Sequence, residues 1–215
     1  MAVSVDTILD SVSVTLLDTA RRTWSRAELL GYLNEALRAT AFVKPDMYPV
    51  RDFVTLAAGI AQELPADGVA LIDATDNDAT GRTVTQTDLA LLQEENRFWP
   101  AATQQAEVEN YAADPRTPRR YYVFPPNNGA GRLRVTYGAV PPALTGSSGE
   151  DIPVPDSYQN ALTNFVLAKA YAKNSKKQDL TKTSAYTNEW RLALGLKSQA
   201  QVALAPKVAQ SPGVS

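Results

Sequence analysis

The side chains that could do chemistry are acids and bases other than the usual ones. The 215-residue chain has no cysteine and no histidine. That removes disulfides, thiolate nucleophiles and sulfur-ligated metals, together with the commonest general base and metal ligand. A reaction here would have to run on carboxylates, Lys, Tyr, Ser or Thr. The most obvious carboxylate pair, Glu94 and Glu95, is adjacent in sequence. On a helix such neighbours point about 100° apart and cannot flank one scissile bond. The stretch DATDNDATGR (73–82) has the acid density of a calcium loop. It lacks the glycine at the sixth position and the glutamate at the twelfth that the EF-hand geometry requires, so it reads as a solvated polar loop. Arg119-Arg120-Tyr121-Tyr122 mixes cations and rings as single-strand nucleic-acid binders do, and equally suits an edge strand protected by charge. Gly129-Ala130-Gly131 joins strand to strand and offers no helix N-terminus to an anion.

Composition is that of an ordinary globular chain, 44% apolar and 20% charged with a formal net charge of −2. No run reaches the roughly 18 apolar residues of a membrane span, and the first residues lack the basic flank of a signal peptide. The charge is segregated. Residues 60–114 hold eleven acids against two arginines, and residues 156–197 hold seven basic residues against three acids. That distribution fits either subunits meeting acidic middle to basic end in a ring, or two solvated faces that never meet.

The elements that must position these groups begin and end the chain. Apolar residues at near-helical spacing predict a first helix over 3–17. Ser25 and Glu28 form a capping box, with Trp24 and Leu29 at the spacing of a hydrophobic staple. Leu29, Leu30, Leu33, Ala36 and Leu37 then make one apolar stripe, with Asn34, Glu35 and Arg38 opposite, until Pro45 stops the helix near Lys44. Asp156 and Gln159 read as a second capping box. The helix behind it has Tyr158, Ala161, Leu162, Phe165, Ala168 and Ala172 on one face, and a last helix runs from about Leu180 to Gly195.

Between them the period changes to two. Residues 50–56 and 60–64 predict a hairpin with Gly59 at positive φ, and Pro65 to Gly68 a turn. Residues 69–74 are either a strand or a helical turn. A brief strand at 83–85 is followed by a short helix capped by Thr87. Tyr121–Phe124 and Leu133–Tyr137 are strong strands with 125–129 turning between them. The expected fold is α+β, a helical bundle from both chain ends with a β-rich middle. Its parts are 1–47 with 152–197, 48–151, and an extended C-terminal tail at 198–215. That tail has no acids and too few large apolar groups to order itself alone.

The order of these motifs is familiar: WSRAELLGYLNEA (24–36), QELPAD (62–67), RYYVFPP (120–126), VTYGAVPP (135–142) and IPVPDSYQNALTNFVLAKAYAK (152–173). Together they resemble the head-to-tail adaptor proteins of tailed bacteriophages, in particular the tail-tubular-A-like adaptors of short-tailed phages, over about residues 5–197. The resemblance implies a non-enzymatic structural protein of the virion, made in the host cytoplasm, with no cofactor, metal or membrane. It implies a dodecameric ring between the portal protein and the tail nozzle, with DNA passing its lumen unread. The helical part would pack subunit to subunit and against the portal, and the β-rich part would face the tail. The tail residues expected on the portal are Leu204, Pro206, Val208, Pro212 and Val214; those expected between subunits are Tyr158, Phe165, Lys169 and Lys173. Two other classes stand beside it: a peptidoglycan hydrolase using carboxylates of the acidic middle, and a nucleic-acid module using Arg119, Arg120 and the lysines of 173–182.

Overall fold

A computed structural model describes residues 3–95 and 97–196. The described residues form five α-helices and two β-sheets, which is α+β. The chain divides into two compact units, Met1–Ala36 with Leu144–Ser215, and Leu37–Ala143.

In the first unit, α1 (Val5–Thr15) is capped by Ser4, whose hydroxyl accepts from the Thr7 amide at 3.2 Å, and buries Val5, Ile8, Leu9 and Val12. The second helix, α2 (Arg26–Val43), starts as its capping box requires: the Glu28 amide donates to Ser25 Oγ at 3.2 Å, and Trp24 and Leu29 are both buried. Asn34 departs from the expected outward face. Its carboxamide takes both backbone groups of Leu144, accepting from the amide at 2.7 Å and donating to the carbonyl at 3.1 Å. The 145–150 loop closes on the Glu150 carboxylate, which accepts from the amides of Thr145, Gly146 and Ser147.

The helix α4 (Gln159–Ala172) does not begin with the expected Asp156–Gln159 box. A 3-10 turn over Asp156–Tyr158 precedes it, closed by the Tyr158 amide on the Pro155 carbonyl, and no side chain caps either segment. Pro153 and Pro155 hold the chain extended to that point, so it must enter the helix through the tighter turn. Burial runs almost round α4, because α1 and α5 (Leu180–Ala193) both pack on it. Asp179 caps α5 through the Lys182 amide, and Gly195 at φ +71° follows its end.

In the second unit, β1 (Pro49–Thr55), β7 (Arg132–Ala139) and β3 (Gly68–Asn77) form an antiparallel sheet in the order β1-β7-β3. The second sheet runs β2-β6-β5-β4, from β2 (Gly59–Glu63), β6 (Arg120–Asn127), β5 (Asn110–Ala113) and β4 (Thr85–Gln86). The predicted 50–56/60–64 hairpin is therefore absent. Although Gly59 does take φ +104°, its flanking strands enter different sheets. Both sheets contribute to one apolar core holding Leu56, Leu64, Tyr121, Val123, Leu133 and Val135, with Leu56 following β1 and Leu64 following β2. Residues 69–74 are strand, and the ladder continues into the stretch read as loop, because Asp76 lies opposite Arg134 and pairs with it at 3.4 Å. The short helix α3 (Leu89–Glu95) is capped one residue later than expected, by Asp88 through the Ala90 amide.

At three of the four places where the chain leaves one sheet for the other, ladder bonding stops and a buried carboxamide replaces it. Gln62 accepts from the Ala57 amide at 2.7 Å and donates to its carbonyl at 2.9 Å. Asn77 does the same for Val108, at 2.9 and 2.8 Å. Asn127, fully buried, donates to the Ala106 carbonyl and accepts from the Gly129 and Gly131 amides. A side chain on Gly131 would strike Ala106 and Asn127, and one on Gly138 would strike the Pro45 backbone. Removing a clasp orphans buried backbone groups, so Asn77→Ala is expected to lower the unfolding free energy by about 3 kcal/mol in urea denaturation. Breaking the half-exposed Asp78–Arg132 pair beside it by Asp78→Ala should cost under about 1 kcal/mol.

Candidate interaction surfaces

The helical unit is seamed by charge between α2 and α4. Lys173 Nζ donates to Glu28 at 2.8 Å and to the Thr23 carbonyl at 3.0 Å, and Lys169 pairs with Glu35 at 2.5 Å. The Trp24 indole donates to the Ala170 carbonyl at 3.1 Å. Burial opposes ionisation of Glu28, yet Lys173, the Tyr32 hydroxyl and the Ser25 amide outweigh it and hold the carboxyl below its usual range. Asp18 is held low in the same way, burial being outweighed by the amides of Trp24, Thr23 and Arg22.

Tyr158, Phe165, Lys169 and Lys173 recur at helical spacing along one side of this segment. Phe165 meets Trp190 of α5 edge to face at 5.3 Å, and the Lys169 ammonium stands 5.4 Å over the Phe165 ring. Farther along, the rings of Tyr171 and Tyr186 stack at 5.8 Å, with Lys182 over Tyr171 at 4.8 Å and Lys177 over Trp24 at 5.2 Å. Sequence reading took 173–179 as a plain polar connection and missed this ladder of lysines on rings. Lysines lying between aromatic helical positions were the available signal.

In the β unit the Arg119–Tyr122 cluster is divided. Tyr121 is buried in the core, Tyr122 meets Trp99 edge to face at 6.2 Å, Arg120 pairs with Glu63 at 2.8 Å, and Arg119 donates to the Pro65 and Ala66 carbonyls. Nor is β6 an edge strand: it lies between β2 and β5. The acids of the 73–82 stretch are similarly engaged. Asp73 accepts from the Tyr111 hydroxyl at 2.7 Å, which with burial pushes that phenol up to about 12, and Asp78 pairs with Arg132. Among the described residues no group of three acids could hold a metal ion. Glu94 and Glu95 are consecutive residues of α3. Leu204, Pro206, Val208, Pro212 and Val214 lie outside the described residues.

These are surfaces for packing and pairing, with most of the polar groups named above engaged within the chain, the buried Tyr121 hydroxyl having no hydrogen-bond partner. The model of the SU10 adaptor protein family matches residues 3–212. The chain belongs to that family. No curated protein matches it in sequence. An SU10 adaptor is a structural phage protein, a component of the virion that associates with other phage head and tail proteins. No helix among the described residues is long and apolar enough to cross a membrane.

Glu28, Asp18 and Glu150 are all held below the usual carboxylate range in the folded adaptor. In the unfolded chain they return to it, so the stability they contribute is complete above about pH 4.5 and is lost as pH falls through the folded values. Thermal melts from pH 7 to 3 should show that loss. Lys173→Met should melt lower than wild type at pH 7, by about 1 kcal/mol, and the gap should narrow below pH 4 as Glu28 protonates.

Proposed function

We propose that this SU10-family adaptor forms a dodecameric ring joining the portal to the tail nozzle of a short-tailed phage, in the manner of tail-tubular-A-like adaptors. The observation that carries the reading is the family match across 3–212, together with the motif order that resembles head-to-tail adaptors. In this reading residues 1–47 and 152–197 make a helical bundle that packs between subunits and on the portal, and residues 48–151 face the tail. Tyr158, Phe165, Lys169 and Lys173 supply part of the subunit contact. Each has substantial apolar or aliphatic surface, and the two lysines are only half-buried by their own carboxylates. Residues 198–215 extend along the portal through Leu204, Pro206, Val208, Pro212 and Val214. DNA crosses the lumen without being read, which accords with the internal engagement of Arg119 and Arg120.

The test is the mass of the purified chain in solution, alone and with a portal ring, by native mass spectrometry. Twelve copies per portal ring are expected. Deleting 198–215 should weaken portal attachment at least tenfold while leaving the melting temperature within about 2 °C of wild type. A chain that stays monomeric beside the portal would overturn the reading.

A further inference from the structure

The end of α1 carries a residue that its own fold does not favour. The Asp18 amide donates to the Ser13 carbonyl at 2.9 Å, a six-to-one closure that places Leu17 in the left-handed position after the helix. Leu17 sits at φ +53°, where glycine or asparagine is usual, and it is 87% exposed. A branched apolar side chain there strains the backbone and leaves apolar surface in water, so folding of the monomer does not account for it. Val14, three residues earlier, is 59% exposed, and Leu180, beside the α5 cap, is 66% exposed. Leu17 lines an open groove of about 260 Å³ with Tyr171, Asp179, Lys177 and Lys182. Both lysines are steadied over aromatic rings, and Asp179 lies 3.8 Å from Lys182. The groove is apolar at one side and carries two lysines against Asp179 at the other, with Asp18 near Lys177.

A surface of the opposite kind occurs on α3 and the residues flanking it. Leu91 is 50% exposed and Phe98 79%, and Asp88 and Glu94 are exposed on the same short segment. This segment lies within the stretch that carries eleven acids against two arginines, and the 171–182 side of the groove lies within the one that carries seven basic residues against three acids. We infer that α3 of one copy docks in the Leu17 groove of the next, Leu91 against Val14 and Leu17, Glu94 toward Lys177 and Lys182. The two patches differ, so the contact is heterologous and propagates from copy to copy, as a closed ring requires. The inference rests on the ring reading and names the surfaces that would make it.

The absence of cysteine allows a direct test. Leu17→Cys and Leu91→Cys are made separately, mixed under conditions in which wild type assembles, and oxidised. A disulfide-linked pair containing one of each variant is expected, with little crosslinking of either variant alone. Leu17→Asn is the second arm. It relieves the backbone, so its melting temperature should equal or exceed that of wild type, while its assembly weakens at least tenfold. Lys177→Glu should likewise weaken assembly, and adding Glu94→Lys should restore it in part. Wild type that assembles while Leu17→Asn assembles equally would overturn this contact and leave the ring standing. Crosslinks of Leu17→Cys to itself, or to another virion protein in place of Leu91→Cys, would also overturn it. Wild type that never self-associates, alone or on a portal, would overturn the ring and the contact together.

Discussion

A buried backbone amide or carbonyl must have a partner, and the β unit meets that requirement at the places where its ladders cannot. Successive strands go to different sheets at β1–β2, β2–β3, β3–β4 and β6–β7, and at the first, third and fourth of these partings backbone N–H and C=O groups are met by a side chain in place of a neighbouring strand. Gln62, Asn77 and Asn127 each present one acceptor and one donor, which is what a missing strand would have presented. A hydroxyl cannot span both groups of one peptide, and a carboxylate cannot donate. The two-sheet core that buries Tyr121, Val123 and Leu133 depends on these clasps, because it exists only if the chain can change sheets inside an apolar environment. Asn34 applies the same device to Leu144 in the helical unit.

The helical unit is held differently. Its packing surface is supplied by small and aliphatic residues of α1 and α4, while direction comes from partly buried charge: Glu28 to Lys173, Glu35 to Lys169, Arg26 to Asp6. Lysines left over from this pairing lie on aromatic faces, where a cation keeps its hydration on one side and the ring quadrupole on the other. These contacts fix long side chains in place, which lowers the entropy that a partner would otherwise have to remove from them.

A structural adaptor needs this kind of surface. Several residues whose types invited metal or nucleic-acid readings are occupied: Asp73 by Tyr111, Asp76 and Asp78 by arginines, Arg120 by Glu63, Arg119 by carbonyls. What faces outward instead includes exposed leucine, valine and phenylalanine beside charged side chains. Such patches favour association with a complementary surface, and their charge selects which surface that is.

Helix starts and stops were legible in the sequence where a local cap or stop decides them, though the expected Asp156–Gln159 box and Thr87 cap did not form. Ser25 reaches the amide three residues on, as read, and Ser4 and Asp179, not singled out from the sequence, do the same, while Pro45 and Gly195 act on their immediate neighbours. Composition likewise excluded thiol and imidazole chemistry before any fold was known. Strand partners were not legible, because the alternation that marks 50–56 and 60–64 as strands is the same whether they pair with each other or with β7 and β6. The choice belongs to the shared core, which rewards burial of Leu56 and Leu64 from two sheets. The same holds for Asn34, which helical periodicity puts outside and Leu144 draws in, and for Leu17, whose type says core and whose backbone places it in solvent. Local spacing thus determined the elements and the family's motif order; long-range burial alone decided who pairs with whom and which side chains remain available to another chain.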